Sequence, residues 1–464
     1  VRLIDLESAI EHGMDSPADR HTPGFASGYP PPRDQRGAQC EDRYAFGANL
    51  FAAMIPTNAM LPLDRTAALR FARRISHDLG YPPALASAID QLLNANRTRR
   101  PSPKRVMATL RGSLDDQERN AAPVPCRLAP VPPLPRHAVS LFDYVTARAK
   151  HARADRFVPA APEVFESHPW GVAHGAAGIL HAYLRSRREP PAGLREYLFA
   201  GLEGDRQRGV SLMSGDAGIA WVLLDAGETE RARTLLRPSL AESAVRDCPG
   251  LHEGLAGWGL ARIKAWRETA DGEFLKAARQ AGDELLFAAI TEPDDTMRWS
   301  DGDKQPVGLA YGAAGIALFL LHLHVATGEP RFLLAATAGL AFDLAQKRAN
   351  GEGTTTWPMY VGPFPVTPYL RHGTAGILAV VARFLAFTGD AHYKEVLLAS
   401  EADLLRSHST CPGLFDGLAG IGETLLDLGQ FIPERAAFYH DAARRVAHGI
   451  EPFLIQREEG LAVP

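Results

Sequence analysis

Four cysteines in 464 residues (Cys40, Cys126, Cys248 and Cys411) are too few and too scattered for a disulfide scaffold. None belongs to a Cys-x-x-Cys pair, so a reducing, cytoplasmic setting is expected. Charge of one sign is also lacking. The formal net charge is -4 and the sequence pI about 6.5, which gives no overall field for a nucleic-acid partner and no acidic tail. Long uninterrupted hydrophobic runs are missing too. The most apolar stretch, Val307–Ala326, contains two histidines and several glycines. It reads as a buried helix and not a membrane span. The first thirty residues are charged and proline-rich, which excludes a signal peptide. What remains is a globular composition, 46% hydrophobic and 22% charged. The chain opens on Val1 and stops at "EEGLAVP", and both ends read as cut.

What the chain does have is a repeat. "VAHGAAGIL", "LMSGDAGIA", "LHEGLAGWG", "LAYGAAGIA", "LRHGTAGIL" and "LFDGLAGIG" share the core Gly-x-Ala-Gly. The first glycines are Gly175, Gly215, Gly254, Gly312, Gly373 and Gly417, at intervals of roughly forty to sixty residues. Each core opens an apolar run of helical length, such as Ile316–Leu323. Amphipathic stretches such as Glu273–Ala288 and Arg331–Arg348 lie between cores. Each repeat is therefore expected to be a hairpin of an inner, all-apolar helix and an outer, amphipathic one. The small residues favour a closed ring over an open solenoid. All inner helices would start at one end, where unpaired N–H groups and positive dipole ends converge. Such a mouth suits an anion, including a thiolate.

The two residues before each core glycine should project into that mouth. They are Ala173-His174, Met213-Ser214, His252-Glu253, Ala310-Tyr311, Arg371-His372 and Phe415-Asp416. Histidine occurs in three of the six dyads. That enrichment favours a functional mouth over six unrelated helix caps.

On these repeats, residues 137–464 resemble a lanthionine synthetase C-like cyclase domain. The resemblance implies an α/α-toroid of helical hairpins, six of seven repeats present and the seventh expected beyond Pro464. It implies addition of peptide cysteine thiols to dehydrated Ser and Thr residues, making thioether rings. The partner implied is a ribosomally made precursor peptide with a leader. Zinc-dependent members of the family carry Trp-Cys before one core and Cys-His before the last. The matching positions here are Arg371-His372 and Phe415-Asp416, so no zinc and no other cofactor is expected in the cyclase. The fourth-core position, often Ala-His, is Ala310-Tyr311. Cys248 and Cys411 sit in Cys-Pro-Gly turns and read as turn residues. Without a metal, His372 and His174 are the candidate bases for the thiol. Arg371 is the candidate stabiliser of thiolate or enolate, Tyr311 or His252 the proton donor, and Asp416 the group that orients an imidazole.

Residues 1–111 read differently and resemble part of a mostly helical protein-kinase C-lobe. Asp5 takes the place of the metal-binding aspartate of the kinase Asp-Phe-Gly motif, although Leu-Glu follows it. Thr22-Pro23-Gly24 matches the end of an activation segment, Asp42 the start of the long central helix, and Arg100-Pro101 the closing Arg-Pro. No Gly-rich loop, strand lysine or His-Arg-Asp triplet precedes Asp5. ATP and Mg would thus belong to an intact kinase domain and not to this segment alone. Residues 112–136, with "APVPCRLAPVPPLPR", read as a proline-rich linker. A kinase ahead of a cyclase without zinc ligands resembles a class III lanthionine synthetase. Two rivals stand beside it. One is a toroid that only binds the precursor peptide. The other is a carbohydrate-active α/α-toroid, which would need two carboxylates among Asp216, Glu253 and Asp416.

Overall fold

The computed structural model describes residues 39–54, 69–74, 82–119, 137–149, 153–160, 167–203, 208–238, 248–300, 305–349, 354–406 and 411–463, with isolated positions between them. Asp5 and Thr22–Gly24 lie outside the described residues.

Each Gly-x-Ala-Gly core starts a helix at the residue after its first glycine. These inner helices are α5 (Ala176–Arg185), α7 (Asp216–Asp225), α9 (Leu255–Thr269), α11 (Ala313–Thr327), α13 (Thr374–Thr388) and α15 (Leu418–Phe431). An outer helix follows each one: α6 (Leu194–Leu202), α8 (Thr229–Leu236), α10 (Gly272–Ala288), α12 (Pro330–Ala345), α14 (Ala391–Ser400) and α16 (Ala436–His448). Every inner helix packs on the next. The first and last also approach each other, with Arg185 of α5 lying 3.6 Å from Glu423 of α15. The architecture is an α/α-toroid.

The glycines explain the close packing. A Cβ on the second core glycine would meet the carbonyl oxygen six residues upstream. The separation is 1.8 Å at Gly218, 2.0 Å at Gly257, 1.9 Å at Gly315 and 2.2 Å at Gly376. The same glycines receive a side chain from the preceding repeat. Leu212 packs on Gly257, Leu251 on Gly315, Leu309 on Gly376 and Leu370 on Gly420. Only a residue without Cβ lets both approaches occur.

Three hairpin turns share a further signature. Thr269, Thr327 and Thr388 donate their hydroxyls back to Ala265, Leu323 and Phe384 carbonyls. A left-handed residue follows (Ala270, Gly328 or Gly389). Asp271 and Asp390 then cap the next helix through the amides of Glu273 and His392. At the third turn, Glu329 precedes Pro330, which opens its helix.

The front helices are α1 (Gln39–Met54), α2 (Pro83–Leu92) and α3 (Pro103–Arg119). Helix α3 runs eight residues into the segment expected to be linker, because residues 112–119 contain no proline. Residues 120–136 lie outside the described ones. The expected helix Val307–Ala326 is also corrected. The helix begins only at Ala313; residues 308–312 form turns and bends, and Val307 and Val361 donate their amides to the Met359 and Gln305 carbonyls. Helix α4 (His137–Ala149) packs on α5 through Phe142 and Tyr183, with ring centroids 4.6 Å apart. It also touches the hairpin of β6 (Ile455–Arg457) and β7 (Gly460–Ala462), where the Leu461 amide donates to the Ser140 hydroxyl. Other strands are short: β1 (Ile290–Thr291) with β2 (Met297–Arg298), and β3 (Arg348–Ala349), β4 (Thr355–Pro358) and β5 (Val366–Thr367) in one antiparallel sheet. The front part leans on the toroid where Phe71 meets Phe453 edge-on and Arg70 donates to the Pro452 and Leu454 carbonyls. Among the described residues, no helix is long and apolar enough to cross a membrane.

Candidate active site

A belt of backbone hydrogen bonds brings the dyads together. The first residue of each dyad donates its amide to the carbonyl of the first residue of the next. The links are Ala173 to Met213 at 3.0 Å, Met213 to His252 at 3.1 Å, His252 to Ala310 at 2.9 Å, Ala310 to Arg371 at 3.0 Å and Arg371 to Phe415 at 2.9 Å. The dyads thereby stand side by side at the starts of the inner helices.

Five of the six expected cyclase residues converge on one side of this mouth. His252 lies edge-on to Phe415, with centroids 4.3 Å apart, and to Tyr311 at 5.6 Å. Tyr311 lies 5.6 Å from His372. Arg371 donates to an Asp416 oxygen at 2.7 Å and to the Tyr311 hydroxyl at 3.4 Å, and stands over the Phe415 ring. The sixth, His174, is half-buried on the first repeat and near enough to His252 to influence its protonation.

Electrostatics separate these groups. Burial pushes His252 down to about 3, helped by Arg371, His372 and His174. A neutral imidazole is a weak acid, so His252 does not fit the expected role of proton donor. Burial also lowers His372, against the pull of the Val307 carbonyl. Burial raises Tyr311, with Arg371 acting the other way. Arg371 is held protonated: burial alone would lower it, but Asp416 and Tyr311 outweigh that and raise it. Asp416 accepts from Arg371, and its charge also pulls His372 upward without a hydrogen bond to the ring being formed. The Val307 carbonyl lies 3.3 Å from Nδ1 of His372. A carbonyl can only accept, so Nδ1 carries the proton and Nε2 is left as the basic nitrogen.

Several neighbours escaped the dyad reading. Tyr360 lies 5.8 Å from His372 and 5.2 Å from Phe364, extending the row of rings outward. It sits on the arm after β4, far from any Gly-x-Ala-Gly core. The aromatic cluster "WPMYVGPF" was the available signal. Ser214 donates to Glu253 at 2.5 Å and contacts Ser211 at 3.0 Å, coupling two adjacent dyads. Asp216 is held by Arg208 at 2.7 Å. Glu253 accepts from Ser214 and Asp416 from Arg371.

A thiolate-rich zinc site does not fit this donor set. Where it would need two cysteines and a histidine, the chain supplies the imidazole of His372, the ring of Phe415 and the carboxylate of Asp416, the last held by Arg371. Cys411 takes part in its own turn, its sulfur accepting from the Gly413 amide. Among the described residues, no three His, Cys, Asp or Glu side chains form a metal-ligating group.

Ring, glycine cores and dyad mouth define a cyclase-type toroid. The family described as lanthionine synthetase C-like protein is matched over residues 194–436, and the chain belongs to that family. Among curated relatives, "Probable SapB synthase" of Streptomyces coelicolor is 28% identical over 513 aligned residues, covering 100% of this chain and 50% of the relative. The chain thus spans about half the length of the curated relative it matches. Among solved structures, nisin cyclase is similar at 16% identity and a TM-score of 0.42, covering 62% of this chain and 83% of that one. A glycoside hydrolase family 76 (mannosidase) protein from Bacteroides thetaiotaomicron follows at 11% identity and a TM-score of 0.34, covering 60% and 84%.

Proposed function

We propose that the toroid is a lanthionine cyclase that adds the cysteine thiols of a ribosomally made precursor peptide to its dehydrated Ser and Thr residues. The observation that carries this reading is the convergence of Arg371, His372 and Tyr311 at the mouth. A peptide thiol has a pKa of about 8.5 and needs help to ionise at neutral pH. Nε2 of His372 takes the proton, and the fixed charge of Arg371 favours the thiolate. The thiolate attacks the β-carbon of the dehydrated residue, and the electron pair moves onto the carbonyl oxygen as an enolate. Arg371 stabilises that oxyanion. Tyr311 then protonates the α-carbon, and the nearby guanidinium stabilises the phenolate until the proton taken up by His372 is returned to it, which restores both groups. No metal takes part in this proposal, because the donor set at the matching dyads is wrong for zinc.

We further propose that the front helices belong to the kinase of a class III lanthionine synthetase, whose ATP- and Mg-binding parts would include Asp5. Supporting this, the closing Arg100 is buried against Tyr44 of α1, 5.0 Å from its ring, so two of the matched pieces touch. A cytoplasmic location accords with the free-thiol chemistry.

The test is incubation with a dehydrated, cysteine-bearing peptide followed by alkylation of remaining thiols. Cyclisation leaves the mass unchanged and removes the alkylation site. Tight binding without thiol loss would favour the peptide-holding toroid instead.

A further inference from the structure

Asp343 is an acid buried away from the dyads. It sits on outer helix α12, is 0% exposed, and belongs to no dyad. Its Oδ2 accepts the amide of Gly308 at 2.9 Å and that of Ala314 at 2.8 Å. Gly308 and Val307 share one peptide bond, and the carbonyl of that same bond faces Nδ1 of His372 at 3.3 Å. In a trans peptide the N–H and C=O point opposite ways. Carboxylate, peptide and imidazole thus form one line. Gly308 is also jammed against the His372 backbone: a Cβ there would lie 3.1 Å from the His372 Cα, and its φ of +104° suits only glycine.

We propose that Asp343 is a positioning residue for His372, acting through the Val307–Gly308 peptide bond. A carboxylate pulling on the N–H polarises the carbonyl, strengthens its acceptance of the Nδ1 proton, and holds Nε2 basic and aimed at the mouth. Helix capping alone does not account for an acid here. Asn or Ser caps a helix about as well, whereas burying a carboxylate is costly. Burial pushes Asp343 up to about 7 even though the amides of Gly308, Ala314 and Ala313 pull it down.

For catalysis the inference rests on the proposed cyclase reading, but its first test does not. The full chain, labelled with ¹⁵N-histidine and assigned with a His372→Gln control, is observed by NMR at pH 8. The expected wild-type spectrum has a protonated Nδ1 and an unprotonated Nε2 at His372. Asp343→Asn keeps an acceptor and the shape but loses the charge, and should raise the Nε2–H form at least threefold while the circular dichroism spectrum is preserved. An Nε2–H tautomer in the wild type, or an unchanged tautomer ratio in Asp343→Asn, overturns the proposal. If the variant does not fold, the wild-type tautomer decides. In the thiol-loss assay, Asp343→Asn should lower kcat about tenfold with KM within twofold. An unchanged kcat beside an active wild type also overturns it. An inactive wild type sinks the cyclase reading, while the NMR result still decides the relay.

Discussion

Replacing Arg371 with Gln separates what this side chain does for the fold from what it does for the reaction. On the stability side the loss should be small. The ion pair with Asp416 is only partly shielded, the two side chains being 27% and 51% exposed, and such pairs contribute about 0–1 kcal/mol. The contact over Phe415 at 5.3 Å adds about 0.5–1 kcal/mol at most. Two effects pull the other way on activity. The thiolate loses a fixed positive charge, and the enolate loses its stabiliser. Removing one preorganised donor from a developing oxyanion costs about 10²–10³ in kcat. The expected outcome is a shift of only a few degrees in the thermal midpoint with a fall of at least a hundredfold in thiol consumption. Arg371→Lys should recover only part of it, since an ammonium cannot serve Asp416 and Tyr311 in one plane. Stopped-time alkylation of a dehydrated peptide reads the rate, and differential scanning fluorimetry reads the midpoint. A loss under fivefold, or a loss matched by unfolding, would refute the assignment of Arg371 to the charge-bearing step.

Removing the imidazole of His372 by His372→Ala should abolish ring formation, measured by thiol loss, with the circular dichroism spectrum unchanged. His252 titrates at about 3 when folded and about 6.5 when unfolded. The unfolded chain therefore binds the proton first as pH falls, and stability is full above pH 6.5 and declines toward pH 3. His252→Phe should flatten that part of the acid limb in urea titrations at stepped pH. Gly315→Ala should destabilise the toroid by several kcal/mol, because the Leu309 carbonyl lies 1.9 Å from the new methyl. Gly272→Ala, at a helix start with nothing within 4 Å, should be neutral or mildly stabilising by the same thermal melt.

The repeat was legible because its cause is steric and local. A glycine on which any Cβ would lie 1.9 Å from a backbone oxygen leaves a mark that no composition mimics. The dyads followed from the glycines by counting back, so Arg371, His372, Tyr311, His252 and Asp416 were found together. Their pairings were not legible. Asp416 stands as close in sequence to a histidine-bearing repeat as to Arg371, and only the packing shows that the guanidinium takes it. Asp343 and Tyr360 lie outside the periodic pattern, and each reaches the mouth through a loop that the repeat does not describe. The Thr-Gly-Asp type of turn was a readable second repeat, since the hydroxyl and carboxylate recur in fixed order around a left-handed residue.

The amide belt has a consequence for how such a molecule changes over time. What ties one repeat to its neighbour at the rim is main chain, and every residue type except proline can supply it. The side chains carried on that rim owe nothing to the tie. His-Glu, Ala-Tyr, Arg-His and Phe-Asp can therefore occupy equivalent stations without disturbing the scaffold beneath them. New chemistry can be written at the rim one station at a time, with an imidazole, a phenyl ring or a carboxylate standing at stations that could carry metal ligands, while the ring itself stays as it was.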